Sequence, residues 1–321
     1  MRVAVLGQGS IGRRHAGNLL SLGHEVVAWD PAADVLDGTE RAPSPDAALA
    51  DAEAAIIASP SSEHAAQARL ALEHGCHALV EKPLALTAAE AGPLVALADG
   101  QGLVLGVAMN LRFHRGVIAV RDAVLSGAIG APLVARVWFG SWLPGWRPGT
   151  DYRLSYSARR ELGGGVLLDA IHEIDYLSWI LGPVASVSAT LTTVSDLEID
   201  VEDVAQMQLG FASGVQAVLS LDYLDRSYDR GCRLVGSEGT VSWSYSDGRV
   251  MLETDCGPPA GTSVPRDVAG TYLAEIGAFI DAAASSAPTS TTADEGLAAL
   301  RVVEAARDSA AGARRVAVSV A

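Results

Sequence analysis

A chain of 321 residues, 49% hydrophobic and 19% charged, is long enough for two domains with full cores. Its formal net charge of -15 argues against nucleic acid or an anionic membrane as partner, since both demand basic patches, and leaves small neutral or cofactor-linked molecules. Cys76, Cys232 and Cys256 show no C-x-x-C spacing, the amino-terminal apolar run is too short for a signal peptide, and no stretch approaches the roughly 20 apolar residues of a membrane span, so a reducing cytoplasm with neither disulfides nor a bound metal is expected.

Residues 2–6 read as a parallel strand, followed at once by Gly7-Gln8-Gly9-Ser10-Ile11-Gly12 and a helix to about Leu22. Strand, G-x-G-x-x-G turn and helix in that order form a dinucleotide fingerprint. Its glycines permit the tight turn, let the backbone approach a pyrophosphate and let helix pack on strand, while the helix amino terminus offers N–H groups to the phosphates. A second strand, 25–29, ends in Asp30, an acid placed to accept from ribose hydroxyls and to repel a 2′-phosphate, which favours NAD over NADP. Strands at 54–58, 77–81 and 103–108 alternate with helices at 61–73 and 88–98, the spacing of a doubly wound parallel sheet. Ser59 and Pro60 close the third strand on the edge where such sheets bind ligands, and His64 opens the next helix. A helix cap at Ser61 or Ser62 is the plainer use of that turn.

Lys82 follows the fourth strand in Leu79-Val80-Glu81-Lys82-Pro83-Leu84 and is the only lysine of the chain; every other permanently basic side chain is arginine. Arginine serves a surface charge equally well, but it neither releases a proton near neutral pH nor presents a compact ammonium. From about residue 131 the pattern becomes strand upon strand: 133–142, 184–194, 204–211, 215–223, 232–235, 240–245 and 250–254, with hairpin turns at Ser213-Gly214, Glu238-Gly239 and Asp247-Gly248. That succession implies a mostly antiparallel sheet. One helix interrupts it at 166–181, announced by Gly163-Gly164-Gly165, and helices at 272–284 and 293–311 precede a short terminal strand. The expected domains are 1–118 and 119–321, with a carboxy-terminal helix able to pack back on the first.

Within the interrupting helix Asp169, His172 and Asp175 lie three apart on one stripe, and a histidine between carboxylates suits acid–base work; an exposed polar stripe is the bland alternative. The glycine turn, Glu81-Lys82-Pro83, and the glycine triplet leading to Asp169 and His172 together resemble the Gfo/Idh/MocA oxidoreductases over nearly the whole chain. That resemblance implies an α/β fold: an amino-terminal Rossmann domain, then an α+β domain with an open-faced, mostly antiparallel sheet. It also implies hydride exchange between a nicotinamide cofactor and a secondary alcohol or ketone of a sugar, nucleotide sugar or cyclitol, in a homodimer or homotetramer. Lys82 would bind the reacting oxygen and His172 transfer the proton. Asp169 would complete the catalytic set, although the family pattern has its aspartate four residues before the histidine, where this chain has Leu168. The offset turns the carboxylate about 100° around an ideal helix, and Glu173 or Asp175 could substitute.

The expected NAD contacts are Gly7, Gly9, Ser10, Ile11, Gly12, Asp30, Ser59, Pro60, His64 and Glu81. The expected substrate contacts are Asn110, Arg112, Trp146, Tyr152 and Tyr156, with Asp169 and His172. Two other readings share these features: an enzyme that retains NAD while cleaving or eliminating a glycosidic group, and a non-catalytic sensor of dinucleotide or sugar.

Overall fold

The structure, a computed structural model, describes residues 1–255 and 257–319; Cys256 lies outside them. In chain order the elements are β1 (Arg2–Leu6), α1 (Ser10–Ser21), β2 (Glu25–Trp29), β3 (Glu40–Arg41), α2 (Pro45–Leu49), β4 (Ala54–Ile57), α3 (His64–Glu73), β5 (His77–Glu81), α4 (Ala88–Gln101) and β6 (Leu105–Ala108). There follow α5 (Arg115–Leu125), β7 (Pro132–Gly140), α6 (Val166–Asp169), α7 (Ile171–Leu181), β8 (Val184–Thr192), β9 (Val204–Phe211), β10 (Gln216–Asp222) and β11 (Asp229–Gly236). The chain closes with β12 (Gly239–Ser244), β13 (Arg249–Thr254), β14 (Ala260–Ser263), α8 (Ala269–Ser285), α9 (Ala293–Gly312) and β15 (Val316–Ala317).

The chain forms two compact units, one of Met1–Asn110 with Val268–Leu300 and one of Leu111–Asp267 with Arg301–Ala321. The division between these units falls after Asn110 and crosses again inside α9. In the first unit six strands run parallel in the order β3-β2-β1-β4-β5-β6. Val3, Val5, Ile56 and Leu79 are all buried, because helices cover both faces of a parallel sheet and its strands become continuous apolar runs. Ile276, Phe279 and Ile280 of α8 pack into the same core as Ala16 and Leu19 of α1, so a segment far along the chain completes the first unit.

The second unit holds a sheet ordered β14-β13-β12-β11-β7-β10-β9-β8-β15. Its pairings are antiparallel except β7 with β10. Strand alternation sends Val137, Phe139, Met207, Leu209, Leu219 and Leu234 to a buried face, against which α5, α6 and α7 pack. The other face carries exposed Arg136, Gln206, Gln208, Gln216 and Ser220.

Two elements depart from expectation. Helix α5 has no counterpart in the sequence reading, because Val117, Ile118, Val120 and Val124 are poor helix formers. It forms because His114 caps it, accepting from the Gly116 N–H at 3.0 Å, and because Gly116 admits the Trp243 indole. A Cβ at Gly116 would come within 2.2 Å of that ring. The helix expected at 166–181 is broken: Ala170, at φ −95° and ψ 26°, ends α6 and begins α7.

The fully buried Phe279 makes the assignment of α8 to the first core testable. Phe279→Ala is expected to cost about 3–5 kcal/mol, read as a lower denaturant midpoint.

Candidate active site

The first unit assembles the expected dinucleotide contacts on one sheet edge. Gly7 has φ +95°, and a Cβ there would lie 2.6 Å from the backbone of Ala58 and Ser59; one on Gly12 would lie 2.0 Å from the Gly7 carbonyl oxygen. No side chain larger than hydrogen fits either place. A Cβ at Gly9 meets nothing within 4 Å, and no side chain caps α1, so Ser10 and Ile11 begin a helix whose amino end keeps room for an anionic group.

Asp30 Oδ2 accepts from the Gln8 N–H at 2.7 Å, and Oδ1 from those of Ala32 and Ala33 at 2.8 and 2.7 Å. Partial burial opposes its ionisation, but these three donors with nearby Arg13 outweigh it and hold the carboxyl below its ordinary range. Oδ2, with a single donor, has a further lone pair for a ribose hydroxyl. Pro60 stands half-exposed or more at the next turn, where the Ser59 hydroxyl donates to Gln67 Oε1 at 2.9 Å.

His64 opens α3. It was expected to touch cofactor, but its ring is buried and both nitrogens meet backbone carbonyls, Nδ1 that of Pro83 at 2.7 Å and Nε2 that of Ser59 at 3.0 Å. Burial lowers its pKa, against the pull of the two carbonyls. Glu81 Oε1 lies 2.7 Å from His15 Nε2, and Oε2 accepts from the Lys82 N–H at 3.3 Å. Burial would raise this carboxyl; the hydrogen bond and charge of His15, with Lys82, bring it net below its usual value. Lys82 itself is half-buried beyond the end of β5. Asn110 is buried, its amide donating to Thr271 Oγ1 at 2.8 Å. The edge ring contact of His15 with Tyr272, which lies under Arg14, had no signal in the sequence.

In the second unit Asp169 and His172 are both buried, on either side of the break at Ala170. The 100° argument assumed one continuous helix, and the break removes it. The Tyr223 hydroxyl donates to Asp169 Oδ2 at 2.6 Å; burial and then the Asp169 charge raise this phenol well above its ordinary pKa, so it remains a donor. The two proposed substitutes are engaged elsewhere: Glu173 pairs with Arg230 at 2.7 Å, and Asp175 accepts two bonds from Arg112 at 2.9 and 2.7 Å.

Arg112, expected as a substrate contact, is buried and held by this ion pair with Asp175. Trp146 and Tyr152 line one small recess with Leu143, Ser155 and Ser157. Trp146 donates to Ser141 Oγ at 2.7 Å and packs edge-on against Tyr223, the Tyr152 hydroxyl accepts from the Glu198 N–H at 3.2 Å, and Tyr156 lies under Arg147.

Glu202 also escaped sequence reading. It accepts from the Leu167 N–H at 3.1 Å at the start of α6, and its carboxylate fills the space that a Cβ on Gly165 would need. Burial raises its pKa against that hydrogen bond. Among the described residues no group of three or more His, Cys, Asp or Glu is placed to hold a metal ion, and no helix is long and apolar enough to cross a membrane.

A Rossmann sheet with a glycine turn and an acid at the end of β2 defines an NAD-binding oxidoreductase, and comparison with known proteins agrees. Residues 1–109 match the oxidoreductase family with NAD-binding Rossmann fold, and residues 117–242 match the GFO/IDH/MocA C-terminal domain. The chain belongs to the Gfo/Idh/MocA family. It is 32% identical to 1,5-anhydro-D-fructose reductase of Ensifer adhaerens over 272 residues, covering 80% of this chain and 78% of that one. With inositol 2-dehydrogenase 2 of Paenarthrobacter aurescens it shares 30% over 335 residues, 95% of this chain and 94% of the other. The crystal structure of an Agrobacterium radiobacter oxidoreductase with NAD+, L-tartaric acid and magnesium superposes with a TM-score of 0.88 at 24% identity, covering 99% of this chain and 98% of that one.

Removing the phenol that holds Asp169 has a defined cost. Tyr223→Phe is expected to lose about 1–3 kcal/mol of stability, the penalty for depriving a buried carboxylate of a donor, measured by urea denaturation.

Proposed function

We propose that this enzyme transfers hydride between the nicotinamide of NAD and a secondary alcohol or ketone of a sugar, nucleotide sugar or cyclitol. The observation that carries the reading is Lys82: the one lysine in the chain stands at the carboxyl edge of the parallel sheet, the edge that also carries the glycine turn. NAD, when bound, supplies the hydride acceptor or donor. Gly7, Gly9, Ser10, Ile11 and Gly12 would receive its pyrophosphate, Asp30 its adenosine ribose, and Ser59, Pro60 and Glu81 would border the rest.

Lys82 holds the substrate oxygen as a charged donor, opposing the build-up of negative charge there. His172 takes the hydroxyl proton in oxidation and returns it in reduction. Asp169, held by Tyr223, favours the cationic form of a neighbouring imidazole when it accepts that proton. Asn110, Trp146, Tyr152 and Tyr156 contribute stacking and hydrogen bonds to a carbohydrate-like substrate. The relatives' names, an anhydrofructose reductase and an inositol dehydrogenase, support this substrate class. The protein works in the cytoplasm as a homodimer or homotetramer, for which the open sheet face offers an interface; nucleic acid and membrane are not its partners.

Nicotinamide absorbance followed with NAD and a polyol panel tests the reading. Lys82→Ala and His172→Ala are each expected to lose about 10²–10⁴-fold in turnover while still binding NAD; full activity in Lys82→Ala overturns the assignment. Asp30→Ala is expected to weaken NAD binding and narrow the preference over NADP, because the carboxylate both accepts from ribose and repels a 2′-phosphate. Titrating each dinucleotide against both proteins checks it.

A further inference from the structure

Lys82 is flanked by two residues that are each tied to a buried histidine. On its amino side Glu81 Oε1 lies 2.7 Å from His15 Nε2, on α1, while the other carboxylate oxygen accepts the Lys82 amide proton. On its carboxyl side the Pro83 carbonyl lies 2.7 Å from His64 Nδ1, on α3, whose opposite nitrogen meets the Ser59 carbonyl at 3.0 Å. His15 is 0% and His64 1% exposed. Two imidazoles without solvent are costly unless polar atoms are used; His15 uses Nε2 on Glu81 and His64 uses Nδ1 on Pro83, the two residues that flank Lys82.

We infer that His15 and His64 are positioning residues that hold the backbone on both sides of Lys82. The inference rests on Lys82 binding the substrate oxygen, as proposed above. His15 needs only one donor at the Nε2 position to reach Glu81. His64 faces two carbonyls with its two nitrogens; the neutral ring donates to one of them, and only the imidazolium donates to both. The helices that bear them follow the glycine turn and the Ser59-Pro60 turn. The segments that receive the dinucleotide therefore also set the place of Lys82.

The single lysine provides a direct probe. Reductive methylation with ¹³C-formaldehyde labels only Lys82 and the terminal amine, and the Lys82 methyl resonance reports its surroundings without any substrate. Wild type is expected to give one narrow Lys82 signal, and His15→Leu and His64→Leu a broadened or split one. In the polyol assay both should lower kcat at least about tenfold, with KM for the polyol little affected. His15→Gln restores the narrow signal and kcat.

Unchanged signals and wild-type kcat in the folded leucine variants overturn the inference, as does a His15 defect that glutamine fails to rescue. If His15→Leu does not fold, His15→Asn, whose shorter amide cannot reach Glu81, reads the same point. Lys82→Ala in the same assay separates the two claims. Retained activity there removes the role of Lys82, whereas lost activity beside intact leucine variants removes only the brace.

Discussion

The closeness of two backbone segments governs the first unit. Gly12, at the start of α1, sits against the carbonyl of Gly7, at the end of β1, with no room for a methyl group between them. This contact sets the helix on the sheet. With α1 so placed, its amino end opens over the space beside Gly9, Gln8 offers its N–H to Asp30, and His15 reaches Glu81. Binding geometry and the support of Lys82 thus share one steric origin.

The second unit depends on a helix that does not run straight. The glycine triplet brings Gly164 against the Tyr156 and Ser157 carbonyls and Gly165 against Glu202, so α6 starts under constraint and lasts a single turn. The break at Ala170 then re-aims the chain before His172. Asp169 is fixed from the sheet side by Tyr223, at the end of β10, rather than by its own helix.

Local patterns carried most of the fold. The buried strands of the parallel sheet were legible as apolar runs punctuated by glycine, and the later hairpins by their turns. Helix α5 was not, because its β-branched residues speak for a strand and only packing under Trp243 decides otherwise. At the site, the glycine turn, Asp30 and Lys82 stood out through spacing or rarity. The partnerships did not: His15 meets Glu81 across 66 residues, Arg112 meets Asp175 across 63, and Tyr223 meets Asp169 across 54. Spacing along a chain says nothing about such pairs, so neither the Arg112 ion pair nor the carbonyl contacts of His64 had a signal there.

The ion pairs of α7 have a further consequence. Glu173 and Asp175 flank the His172 turn, and each is matched to a buried arginine, Arg230 and Arg112. A guanidinium keeps its proton at every pH at which a protein stays folded, so the positive half of each pair persists through the whole range where imidazole titrates.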